Sequence, residues 1–176
     1  MIRFLTLVTA LFISSWSLPA AAEVKMSFHS FNGSVLFGRY PHAFVALEGT
    51  IESTGEVVDE NYGFTAKKVT TAILSGPVEH DIMVETDAYI KKTNRHFTVI
   101  LTEEQLAQVR ETLRSWREAP GKAYDLDTRN CIHFVGAMAE IVGVNVDYPN
   151  KMLRRPKKWL NYIAEKNPQL GAKRIK

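Results

Sequence analysis

The sequence predicts an α+β domain in which an antiparallel sheet packs against a helix carrying the chain's one cysteine. Three observations predict this. Residues 42–66 alternate β-forming stretches with turn residues, residues 131–142 carry an apolar stripe of helical period, and a second such stripe follows Thr102. With 176 residues, a net charge of +3 and 45% hydrophobic residues, the chain suits one domain with a real core. It contains no internal repeat, no phosphate-cradling glycine loop and no low-complexity tract.

The first element is a targeting segment. "MIRFLTLVTALFISSWSLPAAAEV" has Arg3 as a short positive region, an apolar run from Phe4 to Trp16 and small residues up to Ala22. This reads as a cleavable secretory leader over 1–22, cut near Ala22, with an uncleaved anchor as the alternative. The expected product is therefore periplasmic or secreted. "GSVLFGRY" then reads as a strand. "HAFVALEGTI", "STGE" and "VVDENYGFT" read as a long hairpin that Pro41 introduces, with its turn near Gly55. "KKTNRHFTVIL" reads as a further strand, and "TEEQ" after it as a capping box. The helix that begins there places Leu106, Val109, Leu113 and Trp116 on one face, and "APGK" closes it.

Cys131 opens the next helix. Its stripe runs through Phe134, Val135, Met138, Ile141 and Val142 and ends at Gly143, with Asn130 or Thr128 as the cap. A lone thiol in an exported chain has three explanations: a small buried hydrophobe, a bridge to another chain, or a nucleophile. A helix N-terminus offers a positive dipole end and unpaired N–H groups, which favour thiolate and can hold an oxyanion. A thiolate nucleophile needs a base. His133 is two residues along the helix, so its ring points away and supports from behind. His42, at the start of a strand, is the candidate base. His80 and Asp81 sit in "LSGPVEHDIMVETD" without further ligands at a recognisable spacing, so no metal and no cofactor is expected.

Residues 151–176 hold nine Lys or Arg and one Glu, against twelve basic and eighteen acidic residues over 23–150. A helix from Pro156 to Lys166 with Trp159 and Ile163 on one face is expected to dock on the domain, followed by a frayed basic tail. Weak contact with an anionic surface is the partner this charge suggests, and nucleic acid is not expected as one. The organisation read from the chain is thus a leader at 1–22, a domain at 23–150 and a basic helix and tail at 151–176.

"NCIHFV" leading into a helix that ends in "VGV", together with "PHAFVAL" upstream, resembles the circularly permuted papain-like cysteine hydrolases. That group includes relatives of bacterial cell-wall cysteine peptidases and of lecithin:retinol acyltransferase. The resemblance covers roughly residues 27–145 and implies a permuted papain-like fold, an antiparallel sheet against the nucleophile-bearing helix. It implies Cys131 as nucleophile and His42 as base, acting through an acyl-enzyme. A third polar residue would orient the imidazole. Asn61 is assigned there if Asn61 and Thr65 share the histidine's face; a one-residue shift would bring Glu60 instead, and the "NYG" turn is another use for Asn61. By similarity Tyr124 donates to the oxyanion or clamps the helix start, and Asn130 donates or only caps. The expected activity is an amidase or peptidase on peptidoglycan-type substrates of the cell envelope. A lipid acyl hydrolase or acyltransferase is the second expectation, and a catalytically silent binding module of the same fold the third.

Overall fold

The computed structural model describes residues 23–33 and 40–176. The leader over 1–22 lies outside the described residues, as does most of the strand expected for "GSVLFGRY". The described chain is α+β: a five-stranded antiparallel sheet and four α-helices. In chain order these are β1 (Val24–Phe31), β2 (His42–Thr50), β3 (Val57–Ala66), β4 (His80–Met83), α1 (Asp87–Ile90), β5 (Asn94–Leu101), α2 (Glu103–Arg117), α3 (Cys131–Ile141) and α4 (Pro156–Lys166). The strand order is β4-β3-β2-β1-β5.

The hairpin forms as the turn chemistry requires. Gly55 adopts φ +71°, and its N–H donates to the Ile51 carbonyl at 2.8 Å. Val45 then faces Tyr62 and Ala46 faces Asn61. β1, to which the sequence reading assigns no element, lies between β2 and β5. Its "VKMSFHSF" does alternate, since Val24, Met26 and Phe28 enter the apolar core while His29 bonds to Ser27 and Thr93. Ser and His among the apolar positions hide that alternation from a composition-led reading.

Helices α2, α3 and α4 cover one face of the sheet, while Tyr89 of α1 packs on Phe31 and Phe44 of the other. Thr102 and Gln105 form the expected capping box, and α2 buries Leu106, Val109 and Leu113. Trp116 meets Phe64 edge-on at 4.7 Å and Phe134 at 5.4 Å, tying α2 to β3 and α3. α4 spans the expected residues, with Pro156 in its first turn and Trp159, Leu160 and Ile163 fully buried. One continuous core includes these side chains and those of α3. The segment after residue 150 is therefore part of the domain's interior. Each such side chain contributes about 2 kcal/mol by leaving water.

Three asparagines join segments in the same way, by a two-way bond to the backbone of a distant residue. Asn61 pairs with Glu85, Asn161 with Ile175 and Asn167 with Asn145. An amide is the one uncharged side-chain group with a donor and an acceptor spaced like a peptide, so it substitutes for a strand partner. The Asn161 pair holds the terminal segment that the sequence leaves frayed. Asn167 is buried, and its Nδ2 also donates to the Ile163 carbonyl at 2.8 Å. Asn167→Asp turns that donor into a carboxylate facing two carbonyls. A loss of about 2–4 kcal/mol is expected in urea unfolding at pH 7, and an unchanged midpoint would refute the clamp.

Candidate active site

A cavity of about 570 Å³ opens where β2 begins and β3 ends, and Cys131, His42 and Tyr124 all lie on its wall. The sulfur is placed by the start of α3. Asn130 caps this helix: its Oδ1 accepts from the Ile132 N–H at 2.8 Å and the His133 N–H at 3.4 Å. Its Nδ2 donates to the carbonyls of Leu126 at 2.6 Å and Leu153 at 2.8 Å. With the amide engaged at both ends, Asn130 is a cap and a strap, with no donor left for an oxyanion. His133 turns away as expected: its Nδ1 accepts the Asn130 N–H at 3.2 Å and its ring stacks on Tyr148.

Cys131 is buried and free. The backbone N–H groups of Ala43, Ile132 and Cys131 itself act on its sulfur and favour the thiolate, but burial outweighs them and pushes the thiol up to about 11. The expectation of a resting thiolate is corrected here: the helix start does what the sequence implies, and desolvation wins. The Ala43 N–H comes from the residue after His42, so the start of β2 lies against the sulfur.

His42 pairs with Phe31 of β1 and is buried. Burial lowers its imidazole to about 4, leaving it neutral at pH 7. Nε2 has no hydrogen-bond partner among the described residues. What it meets on β3 is Gly63: a Cβ there would lie 2.3 Å from that nitrogen. The place from which a side chain would orient the ring is therefore a glycine. Asn61 is not brought to His42. It faces Ala46, farther along the strand, and both its amide atoms are held by the Glu85 backbone at 2.9 and 2.6 Å. Its assignment as third member is corrected accordingly. Thr65, which shares the Asn61 face by strand alternation, lines the cavity.

Tyr124 is held by a backbone pair with Val78 at 2.8 and 3.0 Å, and its ring packs on Phe64. Burial first, and the neighbouring Cys131 second, hold its phenol above the ordinary range, so it stays a donor. The rest of the wall is largely apolar, with Val69, Ile73, Leu74, Val84, Leu126 and Leu153. The sequence reading missed this lining and missed Gly63. A lone glycine inside the strand "ENYGFT" was the available signal, since it marks a close approach.

Among the described residues no group of three or more His, Cys, Asp or Glu is placed to hold a metal ion. His80 Nε2 bonds the Arg117 carbonyl at 3.1 Å. No helix among those residues is long and apolar enough to cross a membrane. Chemically, the wall offers a thiol at a helix start, a neutral imidazole, a protonated phenol and backbone N–H groups around one apolar space. No family model, no curated protein and no solved structure matches the chain, so the functional argument is carried by this site.

Proposed function

We propose that the protein is an exported cysteine-dependent acyl hydrolase or acyltransferase of the permuted papain-like kind, with Cys131 as nucleophile and His42 as base. The observation that supports this reading is that the thiol, the neutral imidazole and the phenol line one largely apolar cavity. With the thiol raised and the imidazole lowered, the resting pair is uncharged. Proton transfer is then coupled to attack: as sulfur bonds to the substrate carbonyl carbon, its proton passes to the imidazole. The carbonyl oxygen takes the negative charge and is held by the Cys131 N–H, which the Asn130 cap leaves unused, and by the Tyr124 hydroxyl. The imidazolium returns the proton to the leaving group, and water or another acceptor later resolves the thioester.

The lining favours an acyl chain over a peptidoglycan stem, whose carboxylates and hydroxyls would meet apolar side chains. Amidase or peptidase activity on cell-envelope material therefore ranks below acyl transfer. A silent binding module is the second reading, supported by the lack of a partner for His42 Nε2 among the described residues.

Acid-quenched mass spectrometry after incubation with activated acyl esters and phospholipid vesicles tests the proposal. A hydroxylamine-sensitive adduct on Cys131 is expected, absent in Cys131→Ala and formed at least about 100-fold more slowly in His42→Ala. No adduct from acyl esters, vesicles or muropeptides would leave the binding module.

A further inference from the structure

The rim of the cavity is apolar and exposed. Tyr40, Leu74 and Val84 are each more than 60% exposed and Val69 is 47% exposed, and all four line the same opening. The other large exposed apolar side chains among the described residues, Val57 and Ile100, lie elsewhere on the sheet. Leu74 ends a single 3-10 turn, Thr71–Leu74, which buries none of its own residues. A cluster of this kind at a cavity mouth is costly in water and marks an interaction face.

Beside the rim lies a second pocket of about 420 Å³ that shares Pro41, Arg154 and Pro156 with the first. Its walls carry Arg155, Lys157, Lys158 and Arg174. Arg154 is paired with Asp127 and Arg174 with Glu165, and the Lys157 ammonium reaches the Lys176 carbonyl. Arg155 and Lys158 have no acidic partner among the described residues. The first turn of α4 thus presents uncompensated positive charge next to the apolar rim.

We infer that this face docks on an anionic lipid surface. Leu74, Val84, Val69 and Tyr40 enter the interfacial layer, while Arg155 and Lys158 meet headgroup phosphates. The cavity mouth then faces the acyl region directly, so a chain can pass from bilayer to Cys131 without crossing water. Charge complementarity and the apolar space behind the rim select a lipid surface over a polar polymer. The substrate class rests on the acyl-transfer reading, whereas the docking is measured without it.

The experiment uses the full chain in a Cys131→Ala background, which removes the reaction and the one native cysteine. Residues 1–22 are present in every sample, so differences report on the rim and the basic pocket. Sedimentation with vesicles of phosphatidylglycerol and phosphatidylcholine, against phosphatidylcholine alone, is expected to show preference for the anionic mixture. Leu74→Asp with Val84→Asp should weaken binding about tenfold or more, and Arg155→Glu with Lys158→Glu should remove the anionic preference. Far-UV circular dichroism checks that both variants fold. Independently, a polarity-sensitive dye on Leu74→Cys should shift to the blue on anionic vesicles only. Binding unaffected by either variant, equal binding to both vesicle types, or an unshifted dye would overturn the docking. Acylation of Cys131 with no vesicle binding fells the docking alone, and binding with no acylation fells the proposed reaction alone.

Discussion

Lowering the pH from 7 to 4 is expected to destabilise the protein steeply, before carboxylate protonation completes. His29, His42 and His96 are buried, and each is lowered to about 4, chiefly by burial. His96 Nε2 meets the Ser30 hydroxyl at 2.8 Å, a bond a neutral ring makes in either direction. The Ser27 and Thr93 hydroxyls against His29 donate to the Ala46 and Ile90 carbonyls, so both accept from its ring and His29 loses less on protonation. A histidine of lowered pKa stays neutral in the folded chain, while the unfolded chain takes up protons near the ordinary imidazole value of 6.5. Stability is therefore fully present above pH 6.5, falls as pH drops from there, and levels off below about 4. Each ring contributes on the order of 3 kcal/mol across that window. Even His42 and His96 alone are a sizeable share of the stability of a typical domain, about 5–15 kcal/mol. Asp125 and Asp147 are held below their ordinary range, the first by backbone N–H bonds and the second by Lys166, so they add acid sensitivity only lower down. Urea midpoints at pH 7, 5.5 and 4.5 measure the effect, and His96→Gln should flatten the dependence. Equal midpoints across this range would show that the rings are not buried neutral.

Gly63→Ala is expected to disable the site while leaving the fold standing. The added methyl would sit 2.3 Å from His42 Nε2, 3.2 Å from the Phe44 Cβ and 3.3 Å from His42 Cδ2. Buried His42 has little room to yield, so the ring must leave its position. Overpacking of this kind costs about 1–3 kcal/mol. Displacing a proton-transfer group by about 1 Å costs on the order of 100-fold in rate. Acylation of Cys131 should therefore fall much further than the urea midpoint at pH 7. The comparison matters because the atom nearest the added methyl belongs to the imidazole. A Gly63→Ala protein that is destabilised but acylates normally would remove His42 from the reaction.

How far the site could be read in advance follows the range of the interactions. The cap on α3, the capping box on α2 and the span of α4 depend on residues within a turn or two, and each was readable. His42 and Cys131 were legible as residue types in suitable local settings. That both reach one cavity depends on how β2 packs against the start of α3. Asn61 shows the limit well. The strand pattern allows it to share the face of His42, yet its amide is taken by the Glu85 backbone, 24 residues away, which no local pattern announces. β1 was missed because its buried face mixes Ser30 with Met26 and Phe28, so composition masks a clean alternation.

Sequence by itself determined the secondary-structure grammar: a cysteine at a helix start, a histidine opening a strand and a basic, amphipathic helix at the end. These follow from periodicity, caps and turns, which act within a few residues. Only the tertiary structure decided the protonation of the thiol, the company of the imidazole and the apolar character of the mouth. Those depend on what water is excluded and which distant chain fills the space, and desolvation is a property of the packed whole.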